Sequence, residues 1–192
     1  MNGWKVPFVF FLSLLIILVG SSCSSETAAP VTKAGVEISN QMQITSTAFE
    51  DGGTIPTTYT CDADDRSPPL AWNDIPGGTQ SLVLIVDDQD APAGTWVHWL
   101  LYDIPPCVDN LPEGKPATET VPGIGTQGSN DFGRIGYGGP CPPGGSPHHY
   151  YFKLYALDIL LNLEPGMNVE DLETVMSGHI LDQAELMGIY GR

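Results

Sequence analysis

The chain has 192 residues, of which 23 are acidic and 7 are basic, so its formal net charge is −16 at pH 7. This charge opposes binding to nucleic acid, because such binding depends on neutralising phosphates with lysine and arginine. It also opposes broad docking on anionic lipid, so an anionic ligand has to be held by local groups. Glycine (22) and proline (17) are abundant and only 16% of residues are charged, which favours strands joined by many turns.

The N-terminal segment, residues 1–22, has the features of an export signal. Lys5 precedes an apolar run from Phe8 to Val19, which is shorter than the roughly 20 residues that a membrane-spanning helix needs. Small residues and then Cys23 follow, as at the end of a bacterial lipoprotein signal, although Gly20 stands where such signals usually have leucine. We expect Cys23 to be lipidated and to attach the protein to the bacterial cell envelope. A plain secretory signal with an incidental cysteine is the alternative.

Residues 23–40 lack apolar periodicity and are predicted to be the lipidated N-terminus and a flexible tether. A single domain is expected over residues 41–192, a normal domain size. The continuous apolar run from Leu82 to Val86 predicts a strand that is covered on both faces. Two further strands are predicted from Trp96 to Ile104 and from Tyr150 to Leu157.

The C-terminal region carries the main helical signal. Asn168, followed three residues later by Asp171, predicts a helix N-cap. The apolar residues of this helix are predicted to share one face: Val169, Leu172, Val175 and Met176. A similar stripe beyond Gly178 predicts a second short helix or turn: Ile180, Ala184 and Met187.

The sequence lacks a complete motif for binding a cofactor, for binding a metal or for hydrolysis. The segment Gly123–Gly128 matches the dinucleotide-binding pattern G-x-G-x-x-G, but it does not lie between a strand and a helix. Asp62, Asp64 and Asp65 lack the spacing of a calcium-binding loop, so we interpret them as a solvated turn. The common hydrolase signatures G-x-S-x-G and H-E-x-x-H do not occur in the sequence. We therefore expect no cofactor and no metal.

Three polar residues are predicted to converge at strand ends. Asp88 follows the buried apolar run, His98 lies within the next strand, and His148 begins the third strand after a glycine-rich loop. Strict alternation places His148 and Tyr150 on one face of their strand and His149 on the other. The same rule places His98 on a face with Leu100 and Tyr102. Two histidines and a carboxylate beside flexible glycines indicate a binding site.

The same segments resemble a known family. Asp-x-Asp-Ala-Pro at 88–92, His-Trp at 98–99, the glycine- and proline-rich run 136–143 and His-x-Tyr at 148–150 are similar to the signature regions of the phosphatidylethanolamine-binding protein family. Its bacterial branch is often called Raf kinase inhibitor-like, and the resemblance extends over residues 41–192. Two positions depart from the family pattern: Gln89 replaces a proline and His149 replaces an arginine.

This resemblance implies a mainly β, β-sandwich-like domain with a few peripheral and C-terminal helices. It also implies a binding protein, not an enzyme, with a small pocket for phosphate-type anions or phospholipid head groups. The ligand-binding residues carried over from the family motifs are Asp88, Asp90, Pro92, Trp96, His98, Gly138, Gly139, Pro142, His148 and Tyr150. We expect the N–H groups of Gly138 and Gly139 to form an anion-binding concavity. Trp96, Trp99 and Tyr150 are expected to line the walls.

Two other functions are compatible with the resemblance or with the residues. Family members also act as protein-interaction modules that inhibit proteases or kinases, for which the loop 107–122 is the expected contact surface. A hydrolase or lyase that uses Asp88 and His98 as acid and base is the third possibility, and it lacks an evident nucleophile or metal-binding set.

Three cysteines follow Cys23, and their spacing is too wide for a metal site and leaves their pairing open. Cys61 and Cys141 lie beside segments of the expected pocket, and an exported protein meets oxidising conditions. We therefore predict a Cys61–Cys141 disulfide and a free Cys107.

Overall fold

The structure is a computed structural model that describes residues 41–192. The expected signal segment, Cys23 and the tether lie outside the described residues. The described chain contains one 3-10 turn, Thr57–Tyr59, and one α-helix, α1, Val169–Met176. Its strands are β1 Gln43–Thr45, β2 Gly53–Thr54, β3 Leu70–Asn73, β4 Ser81–Asp88, β5 Trp96–Ile104, β6 Asn110–Leu111, β7 Thr120–Val121, β8 Gly125–Gln127, β9 His148–Leu157 and β10 Ile180–Tyr190. Within this region we find no helix with the length and apolarity to cross a bilayer.

The strands form two sheets, so the mainly β prediction is confirmed. The larger sheet has seven strands in the order β2-β10-β9-β4-β5-β8-β7, and the smaller has three in the order β1-β3-β6. Three long strands, β9, β4 and β5, form the centre of the larger sheet, and β4 is antiparallel to both of its neighbours, so its C-terminal end lies beside the N-terminal ends of β5 and β9. Because their ends meet at the same edge, the side chains there are brought close together.

The central strand β4 is buried on both faces, as its apolar run predicts. Leu82, Leu84 and Val86 belong to the main core, to which the small sheet also contributes. Val83 and Ile85 point the other way, into a second core that includes the buried face of α1. The sheet is therefore covered on one face by strands and on part of the other by the helix.

Helix α1 begins as its sequence predicts. The Asn168 side-chain oxygen accepts a hydrogen bond from the Asp171 N–H at 2.8 Å, which satisfies one of the unpaired N–H groups of the first turn. Leu172 and Met176 are buried on the face that meets the sheet. The predicted cap and apolar face are both confirmed.

The second C-terminal helix was predicted wrongly, because residues 180–190 form the strand β10. This strand pairs with β9 from Ile180 to Tyr190. The buried residues near its end alternate with more exposed ones, as in a strand: Ala184, Leu186, Gly188 and Tyr190. A ladder of hydrogen bonds with a long neighbouring strand outweighs the local spacing that mimicked a helical stripe.

The Cys61–Cys141 disulfide is present, with a Cα–Cα distance of 5.4 Å. It joins the segment after the 3-10 turn to the glycine-rich loop that precedes β9. Cys107 is also disulfide-bonded, so the prediction of a free Cys107 is wrong. That prediction came from counting only the three cysteines after Cys23, because an odd number allows one disulfide and one free thiol.

Candidate functional site

A small cavity of about 250 Å³ lies where the ends of β4, β5 and β9 meet. It contains the three residues that were predicted to converge, and each is buried: Asp88 is 4% exposed, His98 2% and His148 8%. The full lining consists of Asp88, Ala91, Pro92, Ala93, Trp96, His98, Phe132, Cys141, Pro142, Pro143 and His148. The strand ends thus place two imidazoles and one carboxylate in a single cavity.

A register shift between β4 and β5 directs the His98 side chain into this cavity. Val86 pairs with Trp99 and the next residue, Asp87, pairs with Val97, so His98 is the extra residue of a β-bulge. Leu100 therefore lies in the second core, whereas the His98 ring meets Tyr150 on the other face. The expectation that His98 shares a face with Leu100 and Tyr102 is wrong, because a bulge interrupts alternation.

The His98 ring is held firmly by its neighbours. Its Nδ1 donates a hydrogen bond to the Gly138 carbonyl oxygen at 2.6 Å, and the Gly138 N–H donates back to the His98 carbonyl at 2.9 Å. Phe132 and Tyr150 contact the ring edge-on, each with a centroid distance of 5.2 Å. These contacts leave Nε2 as the ring nitrogen available to a ligand.

Burial lowers the pKa of His98 below its usual value, even though the Gly138 carbonyl and nearby carboxylates such as Asp88 act in the opposite direction. In the ligand-free protein the ring is therefore neutral near pH 7. The loss of solvation thus outweighs the attraction of the neighbouring carboxylates.

Asp88 orients the second histidine. The His148 Nδ1 donates to Asp88 Oδ2 at 2.7 Å, and Asp88 Oδ1 accepts the Asp90 N–H at 2.8 Å. The Tyr150 hydroxyl is buried nearby and has no hydrogen-bond partner among the described residues. Burial, followed by the charge of Asp88, raises the pKa of Tyr150, so this phenol stays protonated.

The rest of the wall is mostly apolar. Trp96 and Phe132 pack edge to face at a centroid distance of 5.6 Å. Pro92, Pro142 and Pro143 have no backbone N–H to offer a ligand. Six predicted site residues line the cavity: Asp88, Pro92, Trp96, His98, Pro142 and His148.

The other four predicted residues lie outside the lining. The Gly138 carbonyl accepts a hydrogen bond from the His98 ring, and the Tyr150 ring packs against it. Asp90 accepts hydrogen bonds from the N–H and the Nδ1 of His149, at 2.8 and 2.6 Å, on the exposed side of the strand. These hydrogen bonds lower the pKa of Asp90 and occupy one of its oxygens. Gly139 packs against the segment after the 3-10 turn.

The glycines do not form the expected anion-binding concavity. The Gly138 N–H is bonded to the His98 carbonyl, and the Gly139 N–H donates to Asp65 Oδ1 at 2.6 Å. Close packing explains why both positions are glycine: a Cβ would lie 2.6 Å from a Phe132 ring carbon at Gly138 and 2.5 Å from the Tyr59 carbonyl at Gly139.

Trp99 was also expected in the wall, and that expectation is wrong. Its side chain is fully buried in the main core, where its Nε1 donates to Gln127 Oε1 at 2.7 Å. Sequence reasoning in turn did not assign Phe132, Ala91, Ala93, Cys141 or Pro143 to the site. Phe132, one of two aromatic residues in the long glycine- and proline-rich stretch, offered the clearest signal of the five.

The acidic turn that could have suggested calcium is used for structural contacts. Asp62 binds the Arg192 guanidinium through both oxygens, at 2.8 and 2.7 Å, and accepts the Tyr190 hydroxyl. Asp65 accepts from Arg134 and from Gly139. In residues 41–192 no group of histidine, cysteine and acidic side chains is arranged to hold a metal ion.

A larger groove of about 840 Å³ lies between β1 and the strands β9 and β10. It is open, carries Lys153 together with Asp51 and Glu185, and contains no histidine. The smaller cavity has the more specific chemistry, because its polar groups are buried and oriented.

Comparison with known proteins agrees with this fold. The family model for phosphatidylethanolamine-binding protein matches residues 45–191. The chain belongs to the phosphatidylethanolamine-binding protein family. A UPF0098 protein of Methanothermobacter thermautotrophicus is 49% identical over 151 residues, which cover 79% of this chain and 99% of that protein. A UPF0098 protein of Aquifex aeolicus is 51% identical over 153 residues, 79% of this chain and 89% of that protein.

Two solved structures of the family have the same fold. A putative phosphatidylethanolamine-binding protein homologue from Chlamydia trachomatis has 46% identity and a TM-score of 0.73, covering 80% of this chain and 99% of that one. YbcL of E. coli, described as a new member of the mammalian family, has 32% identity and a TM-score of 0.73, covering 79% and 99%. Fold and family membership are thus shown together.

Proposed function

We propose that this protein binds phosphate-type anions or phospholipid head groups in the small cavity, as a member of the Raf kinase inhibitor-like branch. One observation carries the proposal: two buried histidines, each with Nδ1 bonded to a protein acceptor, line one cavity beside Asp88. Each ring therefore directs Nε2, and not Nδ1, to a ligand. Imidazoles oriented in this way are suited to hydrogen bonds with phosphate oxygens.

The remaining chemistry supports a small, locally held ligand. The net charge of −16 repels anions at long range, so the affinity has to come from contacts inside the cavity. Asp88 keeps acceptor capacity for a ligand ammonium group, because each carboxylate oxygen can accept more than one hydrogen bond. A cavity of about 250 Å³ suits a head group and not acyl chains.

Binding is proposed in preference to catalysis. The lining contains no serine or threonine, and its cysteine, Cys141, is held in a disulfide. The lining therefore offers neither a hydroxyl group nor a free thiol as a nucleophile.

Replacing His148 by alanine is expected to weaken binding of phosphoethanolamine or phosphate by roughly 1.5–3 kcal/mol, the usual worth of a hydrogen bond to a charged group. Isothermal titration calorimetry on the purified protein measures the difference. The matched control is His149→Ala, because that side chain pairs with Asp90 outside the cavity and is expected to leave affinity unchanged.

Asp88→Asn in the same titrations is expected to weaken the binding of phosphoethanolamine more than that of phosphate, because the acceptor for the amine is impaired.

Equal affinity in wild type and His148→Ala would contradict the anion pocket. Inhibition of a protease or kinase through surface contacts would then be the better proposal, to be tested by pull-down.

We further propose that Cys23 is lipidated and that this group alone attaches the protein to the envelope membrane. Cys23→Ser is expected to move the protein from the membrane fraction to the soluble fraction while it still binds phosphate, measured by fractionation and mass spectrometry of the mature N-terminus. Non-reducing peptide mapping is the complementary measurement. Since Cys61 and Cys141 pair with each other, Cys23 is the one remaining cysteine of the sequence with which Cys107 could pair. Recovery of Cys23 in a disulfide-linked peptide would therefore contradict the proposal, because a thioether occupies the same sulfur.

A further inference from the structure

The hydrogen bonds of the two pocket histidines determine what a ligand oxygen meets. The Gly138 carbonyl can only accept, so the hydrogen of the neutral His98 ring lies on Nδ1 and a lone pair lies on Nε2. The Asp88 carboxylate likewise accepts a hydrogen bond from the Nδ1 of His148. A phosphate oxygen at the Nε2 of His98 therefore needs a hydrogen between the two atoms, supplied either by the ring or by the ligand.

The surroundings of His98 make it unfavourable for the ring to supply this hydrogen. Its charged or titratable neighbours come from three elements: Asp87 and Asp88 of β4, His148 and Tyr150 of β9, and Asp131 of the loop after β8. The three carboxylates favour a second proton on the ring, but burial acts more strongly and lowers the pKa of His98. A ligand that brings its own hydrogen avoids the free-energy cost of protonating the buried ring.

The glycine N–H groups beside His98 are not free to supply the hydrogen instead. The N–H groups of Gly138 and Gly139 are already bonded, and three of the lining residues are prolines without an N–H. Asp88 places a carboxylate in the same cavity, which opposes a ligand of high negative charge. Both facts favour a ligand of lower charge that carries an O–H.

We infer that the pocket selects a phosphomonoester in its singly protonated form, and that binding takes up one proton into the hydrogen bond between a phosphate oxygen and the Nε2 of His98. This inference rests on the proposed function and names the ligand class within it. A phosphodiester, which is the phosphate of an intact phospholipid, has no hydrogen to donate near neutral pH. A free head group such as phosphoethanolamine is therefore preferred over the same group inside a lipid.

The test compares phosphoethanolamine with glycerophosphoethanolamine, which carries the same amine on a phosphodiester. Calorimetric titrations at pH 7.5 in buffers of low and high ionisation enthalpy give the number of protons taken up. We expect about one proton for phosphoethanolamine at that pH, falling toward zero near pH 5.5, because a phosphomonoester takes its second proton near pH 6. At pH 6 we expect the monoester to bind at least about tenfold more tightly than the diester.

A variant at His98 tests whether the proton uptake depends on this residue. In His98→Gln an amide that does not titrate can donate near the position of Nε2, so proton uptake is expected to fall by about one and the preference for the monoester to disappear. The matched control is His179→Gln, since His179 forms an exposed pair with Asp158 at 2.8 Å and is expected to leave both quantities unchanged. Nitrogen NMR of the wild-type imidazoles reads the Nε2 lone pair of His98 directly and does not depend on how the variant folds.

The outcomes distinguish this inference from the proposed function. Binding of both ligands with equal affinity and without proton uptake would overturn the inference and leave the anion pocket in place. A protonated Nε2 on His98 in the ligand-free protein at pH 7 would overturn it as well. If neither ligand bound, the proposed function itself would be wrong.

Discussion

Removal of the Cys61–Cys141 disulfide is expected to lower the free energy of unfolding by about 4 kcal/mol. The bridge joins residues 80 positions apart, and closing so long a loop removes much of the conformational entropy of the unfolded chain. Cys141 also lines the cavity beside Pro142 and Pro143, so the same bridge holds one wall of the site. The change therefore acts on stability and on ligand affinity together.

The measurement is urea denaturation of the double variant Cys61→Ala with Cys141→Ala. A double variant is preferable to a reducing agent because Cys107 is also disulfide-bonded and would be reduced at the same time. Wild type under identical non-reducing conditions is the reference. A change of less than about 1 kcal/mol would mean that the unfolded chain is already compact around these residues, contrary to the entropic account.

Lys153→Met is expected to destabilise the protein by about 3 kcal/mol, at the lower end of the range for breaking a buried ion pair. Lys153 Nζ donates to Asp87 Oδ2 at 2.5 Å, and Asp87 is only 4% exposed. The other oxygen, Oδ1, has no hydrogen-bond partner among the described residues. Without the lysine the carboxylate stays buried with its charge uncompensated. The Lys153 side chain is 20% exposed, so solvent reduces the effect.

Two further variants make this prediction specific to the buried charge. Lys153→Met combined with Asp87→Leu is expected to regain most of the lost stability, because the carboxylate that needed a partner is gone. Arg66→Met breaks the exposed ion pair with Glu113, whose atoms are 3.3 Å apart, and is expected to cost less than about 1 kcal/mol. Equal effects of Lys153→Met and Arg66→Met in urea denaturation would contradict the argument.

The sequence by itself determined the features that depend on neighbours along the chain. The run from Leu82 to Val86 predicted a strand buried on both faces, because no polar residue interrupts it. Asn168 and Asp171 predicted the start of α1, because a cap needs only residues of the first turn. The positions of Asp88, His98 and His148 at the ends of predicted strands also indicated that these residues converge, which the cavity confirms.

Only the tertiary structure decided the features that depend on pairing between distant segments. His98 faces the cavity because a bulge against β4 interrupts alternation, and a bulge leaves no mark in the spacing of apolar residues. Residues 180–190 form a strand because β9 offers a long edge, although their apolar spacing also fits a helix. The N–H groups of Gly138 and Gly139 are occupied by the His98 carbonyl and by Asp65. Hydrogen-bond partners and burial are set by segments far apart in the chain, so local pattern cannot predict them.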